Sequence, residues 1–177
     1  MKSFLPLRCA LYLAGWLDEV ARRVPRRRVE LGPWRSGLSV VIPERASPEM
    51  LRECLRGAAA AAERVEEPAE IIAVVNGAPL ADYASLRAEF EKVVWIHHSA
   101  PLSFSAAISL GVKRARYGGV YLLNSDMTLD PDALAQAARW RAPHVFAVAS
   151  QIFFADPARR REETGWTDFR QIGRAHV

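Results

Sequence analysis

Apolar and polar positions along the chain switch between two periods. Residues 38–42 (LSVVI) form a short β-branched run stopped by Pro43, as in a strand buried on both faces. Residues 71–75 (IIAVV) repeat this pattern and are closed by the turn signal Asn76-Gly77. Further strands are expected over 93–96, 120–123 and 145–149. Between them the spacing lengthens to that of a helix. Ser47 suits an N-cap, Pro48 the first helical position and Glu49 the first turn. This helix would carry Met50, Leu51, Cys54, Leu55 and the alanine run 58–62, and end before Pro68. Helices are also expected over 80–91, over 104–116 with Gly118-Gly119 as the stop, and over 131–140.

Strands separated by helical stretches imply βαβ units, and hence a parallel sheet with right-handed crossovers. The expected fold class is therefore α/β, an open, doubly wound, mainly parallel sheet. Such sheets bind ligands at the carboxyl ends of their strands. Three short segments fall there: Pro43-Glu44-Arg45, Asn76-Gly77-Ala78 and Asn124-Ser125-Asp126. The stretch VYLLNSDM (120–127) passes abruptly from buried-strand residues to polar ones. Alone, NSD reads as a turn, Asn-Gly as a turn and Pro43 as a strand stop.

Composition adds limits. With 177 residues, half of them apolar and a quarter charged, the chain suits one globular domain with a core. The net charge of +4 has a local source, Arg22, Arg23, Arg26, Arg27 and Arg28. That run suits an anionic partner, a phosphate-bearing substrate or a lipid surface, as well as a plain solvated face. Residues 4–17 are mostly apolar but interrupted by Arg8, and fall short of the roughly 20 needed to span a bilayer. They also lack a clean signal-cleavage site. An amphipathic helix on a membrane surface and one docked on the protein's own core both remain open. Cys9 and Cys54 show no CxxC spacing, so neither a disulfide framework nor a zinc site is supported and a reducing cytoplasm is expected. Adjacent His97 and His98 read as a surface or partly packed pair, and Trp140, Phe146, Phe153 and Phe154 as core.

Neither GxGxxG nor GxxxxGK[ST] is present, so a glycine-built phosphate cradle is not indicated. A diphosphate bridged by a hard divalent cation needs only one or two carboxylates at a strand end.

Four ordered segments, LSVVIPER (38–45), EIIAVVNGA (70–78), SFSAAISLGVKRA (103–115) and YLLNSDMTLDPDAL (121–134), together resemble glycosyltransferase family 2. The resemblance implies the GT-A fold and transfer of a sugar from a nucleotide-diphosphate donor. Pro43, Glu44 and Arg45 would border the nucleotide, and Asn76 and Gly77 would lie beside base and ribose. Asn124, Ser125 and Asp126 would form the DxD-like station, with Asp126 holding Mg²⁺ or Mn²⁺ on the diphosphate. The chain departs from the pattern at Val75, where the family has a base-reading aspartate, at Ser109 in place of an asparagine, and at Asn124 in place of the first acid.

An inverting hexosyl- or deoxyhexosyltransferase needs a general base. Glu162, Glu163 and Asp168 are available, and none matches the family's later acidic motif. The expected partners are a nucleotide-diphospho-sugar and a glycan or lipid-linked acceptor in cell-envelope polysaccharide synthesis, with no nucleic acid. The expected location is the cytoplasm, at the inner membrane face if the basic segment touches lipid. The expected organisation is a basic helical segment (1–36), an incomplete donor-binding domain (37–170) and a non-native tail (171–177). The tail IGRAHV reads as translated sequencing adapter, which implies a C-terminally truncated fragment. Two other classes are a sugar nucleotidyltransferase, which IPERASPE disfavours by lacking glycine, and a non-catalytic α/β nucleotide-sugar-binding module.

Overall fold

The computed structural model describes residues 35–142, 144–153 and Ala158. Its elements run β1 (Arg35–Glu44), α1 (Pro48–Ala62), β2 (Ala69–Asn76), a 3-10 turn (Leu80–Tyr83) leading into α2 (Ala84–Glu89), β3 (Val94–His98), α3 (Phe104–Arg114), β4 (Tyr117–Leu122) and α4 (Ala133–Arg139). The four strands form one sheet in the order β3-β2-β1-β4, and every pairing is parallel.

Residue choice explains which strands are central. β1 and β2 are Val- and Ile-rich and almost wholly buried, whereas β4 (YGGVYL) alternates half-buried with exposed residues, as an edge strand does. Because side chains alternate across a strand, the sheet buries two different sets. Val40, Ile42, Ala73 and Val75 face α1, Tyr83 and Leu86. Val41, Ile72 and Val74 face Ala107 of α3. Both faces are covered, so the open, doubly wound expectation holds. The apolar stripe of α1, Leu51, Cys54, Leu55, Ala58 and Ala61, recurs at helical spacing and is buried throughout. Each buried leucine there contributes roughly 1.5–3 kcal/mol. On the opposite face, Gly111 lets α3 lie close, since a Cβ at that position would sit 2.3 Å from Val41 Cγ1.

A polar clamp ties three strands together near their amino ends. Ser39 Oγ donates to Glu70 Oε1 at 2.7 Å, and Arg116 donates through its backbone N–H to Oε1 (2.7 Å) and through Nε to Oε2 (2.8 Å). Burial pushes the Glu70 pKa up, but the donors on Arg116 and Ser39 outweigh it and hold the carboxyl below its ordinary value.

Several sequence expectations are corrected. The helix over 104–116 stops at Arg114, and Gly118-Gly119 lie inside β4 rather than capping the helix. The cause is Glu70, which takes the Arg116 N–H away from the helix ladder. The helix over 80–91 is a 3-10 turn joined to a six-residue α-helix. Ser47 stands at the N-cap position of α1 without a side-chain cap bond. No strand forms over 145–149: the run suits a strand but enters no ladder, and Ser150 meets the sheet through a side-chain bond to Tyr121 (2.7 Å). Trp140 (69 % exposed), Phe146 and Phe153 are exposed rather than core. His97 is exposed and His98 half-buried, in agreement with a surface or partly packed pair, and each ring is bonded to a backbone carbonyl. The basic segment before Arg35, Cys9, Phe154, Glu162, Glu163, Asp168 and the tail lie outside the described residues. No helix among the described residues is long and apolar enough to cross a membrane.

Candidate functional site

The parallel sheet brings the three segments singled out from the sequence to one edge, with the β1 end between those of β2 and β4. Glu44, the last residue of β1, is only 2 % exposed. Its Oε1 accepts hydrogen bonds from Tyr83 Oη (3.1 Å) and from the Ser47 N–H (2.5 Å). Tyr83 Oη in turn accepts from the Ala46 N–H at 3.1 Å. These bonds hold the loop between β1 and α1 in a turn that places Ala46 at φ 60°, a left-handed conformation uncommon for a residue with a Cβ. Pro43 is half-buried, and Arg45 is exposed on the same loop. Burial, followed by the neighbouring Glu44 carboxylate, pushes the Tyr83 hydroxyl up to about 12, so it stays protonated and donates. The second oxygen of Glu44, Oε2, is sealed from solvent and has no hydrogen-bond partner.

At the end of β2, Asn76 spends both functions of its amide on one residue. Nδ2 donates to Leu102 O (3.0 Å) and Oδ1 accepts from Leu102 N (2.7 Å), fixing the entry to α3. Gly77 follows at φ 76°, and a Cβ there would fall 2.8 Å from Pro101 Cα. Both conditions call for glycine. Asn76 and Gly77 therefore shape the edge, with both amide atoms of the Asn76 side chain engaged by Leu102.

At the end of β4, Leu123 donates its N–H to Val41 O (3.0 Å), the last tie to β1, and the chain turns with Met127 N donating to Asn124 O (3.2 Å). Asn124 and Asp126 are exposed and Ser125 half-buried. Cys54 of α1 lies beneath, its Sγ donating to Asn124 O at 3.5 Å. Burial first, then the Asp126 and Glu44 carboxylates, raise this thiol to about 12. It stays a thiol at neutral pH and is no nucleophile. Glu44 closes β1 and Asp126 follows β4, the neighbouring strand in the sheet.

No three His, Cys, Asp or Glu converge as a metal-holding group among the described residues. A single exposed carboxylate at the edge still fits a hard cation whose other oxygens come from a bound diphosphate and water. A cavity of about 660 Å³ lies elsewhere, at the amino ends of β1 and β4, lined by Gly37, Leu38, Gly119, Arg141 and Phe146. Arg141 is committed there to Gly37 O and Glu67. None of its described lining residues is a carboxylate, so the carboxyl edge is the better candidate. Sequence reasoning missed Tyr83 and Cys54, which underlie the site. Cys54 was legible only as a position on the helix stripe, and no local pattern distinguished Tyr83.

The open, doubly wound sheet, with its polar residues gathered at the carboxyl edge, has the GT-A fold. The chain belongs to glycosyl transferase family 2, whose family model matches residues 39–173. No curated protein matches it. Among solved structures, it is similar to a mannosyltransferase, PcManGT from Pyrobaculum calidifontis, in complex with GDP-Man and Mn²⁺. The likeness has 17 % identity and a TM-score of 0.55, over 76 % of this chain and 41 % of that one. It is also similar to S. aureus TarS 1-349, with 14 % identity and a TM-score of 0.50, over 66 % of this chain and 39 % of that one. The chain thus spans about two-fifths of the length of these structures.

Proposed function

We propose that the protein transfers a sugar from a nucleotide-diphosphate donor to a hydroxyl acceptor, with the donor seated on the carboxyl edge of β1, β2 and β4. The observation that carries this reading is Asp126, an exposed carboxylate delivered by a strand end to the ligand-binding edge of a family 2 domain. Pro43, Glu44 and Arg45 border the nucleotide, Asn76 and Gly77 form the wall beside base and ribose, and Asn124, Ser125 and Asp126 face the diphosphate. Asp126 holds a divalent cation, Mg²⁺ or Mn²⁺, which when bound neutralises charge on the departing diphosphate. The acceptor oxygen forms a bond to the anomeric carbon as the bond from that carbon to the diphosphate oxygen breaks. The electron pair leaves with the nucleotide diphosphate, and the hydroxyl proton passes to a general base.

The finer reading is an inverting hexosyl- or deoxyhexosyltransferase of cell-envelope polysaccharide synthesis, acting on a glycan or lipid-linked acceptor at the cytoplasmic face. Residues 37–170 serve as its donor domain, and the basic segment 1–36 meets the membrane surface. Family membership and the arginine run support this reading.

The experiment is metal-dependent binding of sugar nucleotides to the full-length protein, compared with Asp126→Ala. Binding that requires Mn²⁺ or Mg²⁺ and disappears in the variant is expected; undiminished binding in the variant would refute the role of Asp126.

A further inference from the structure

A buried carboxylate oxygen without a partner is costly, and native proteins leave few of them. Glu44 Oε2 is one, at the end of the central strand pair and on the edge where ligands bind. The carboxylate is not free to swing, because Tyr83 Oη and the Ser47 N–H both hold Oε1. The fixed orientation leaves a single unused acceptor. Its partner across the β1–β2 register is Val75, so β2 offers no polar side chain at that level. The exposed residues Arg45 and Ala46 follow Glu44 directly in the chain, and Ala46 is held left-handed.

We propose that Glu44 Oε2 is the specificity-determining acceptor for the donor's nucleoside, taking an N–H of the base or an O–H of the ribose. This rests on the donor-site reading above. In a site shielded from water, one hydrogen bond to a charged acceptor discriminates well between ligands that can and cannot donate. Ligands without a suitable donor would leave the oxygen orphaned.

Glu44→Gln tests this, because the side-chain oxygen of glutamine can keep the bonds from Tyr83 and Ser47 while the other position becomes a donor. Binding of UDP, GDP, ADP, CDP and ribose 5-diphosphate would be measured with Mn²⁺ on the full-length wild type and on the variant, alongside urea unfolding. The variant should lose about tenfold or more in affinity for the wild type's best nucleoside diphosphate. A loss confined to base-containing ligands identifies a base N–H, and a loss shared by ribose 5-diphosphate identifies a ribose hydroxyl. The ratio of affinities between ligands does not depend on the folded fraction, so partial unfolding cannot imitate the base-specific outcome. A thermal midpoint and urea curve matching wild type exclude unfolding as the source of a uniform loss. Unchanged affinities and ratios in Glu44→Gln, with binding still abolished by Asp126→Ala, overturn this inference alone. Failure of the wild type to bind any of these ligands overturns it together with the donor-site reading.

Discussion

Tyr83 and Glu44, 39 positions apart, meet in the core under the first strand end, with the tyrosine hydroxyl donating to the carboxylate at 3.1 Å. The same hydroxyl accepts from Ala46, so one buried oxygen secures both a site carboxylate and a strained loop. Tyr83→Phe keeps the ring but leaves the Ala46 N–H without its acceptor and removes a donor from Glu44. A destabilisation of about 1–3 kcal/mol is expected by urea unfolding. An unchanged midpoint would show that the loop does not depend on the hydroxyl.

Asp126 should behave in the opposite way. It is exposed at a turn, so Asp126→Ala is expected to change stability by no more than about 0.5 kcal/mol. The variant should therefore melt like wild type while losing metal-dependent nucleotide binding. Parallel loss of stability and binding would mean that the residue supports the fold and not the ligand.

Glu70 links stability to pH. Its folded pKa is depressed by donors on Arg116 and Ser39, against the opposing effect of burial. The stabilisation is present above the unfolded glutamate value of roughly 4.3 and is lost as pH falls through the lower folded value. Glu70→Gln removes the charge and turns one acceptor oxygen into an amide donor, so at pH 7 it should cost about 1–3 kcal/mol as a donor on the buried side of the clamp loses its acceptor. The difference between variant and wild type should shrink as the pH is lowered below 4. A difference that stays constant from pH 7 to pH 3 would rule out the linkage.

Gly111 sets two effects against each other. Alanine in a helix interior gains about 1 kcal/mol over glycine. Here, however, its Cβ would sit 2.3 Å from Val41 Cγ1 and 3.2 Å from Val74 Cγ2, both on buried strands. Overpacking of this kind costs about 1–3 kcal/mol, so Gly111→Ala should be net destabilising in thermal unfolding. A raised melting temperature would show that α3 can lift off the sheet without loss.

Much of the architecture was legible from local pattern. The runs LSVVI and IIAVV, and the helix stripe from Leu51 to Ala61, are statements about burial, and burial follows from residue type and period. The strand-end rule then located Glu44, Asn76 and Asp126 on one edge. The same logic failed at 145–149 and at Trp140 and Phe146. Apolarity says that a residue can be buried, but not that a pairing edge or a facing layer is there to bury it. Gly118-Gly119 misled for a related reason, since the stop of α3 is set by Glu70, which lies 46 positions before Arg116.

By itself, then, the sequence determined the period, type and order of most elements, and the family whose ordered motifs it carries. These depend on neighbours in the chain. Only the tertiary structure decided that β1 lies between β2 and β4, that the Asn76 amide is already occupied by Leu102, and that Glu44 is buried with one oxygen unused. Each of these depends on groups distant in sequence, whose approach is set by packing across the whole sheet and by no local pattern.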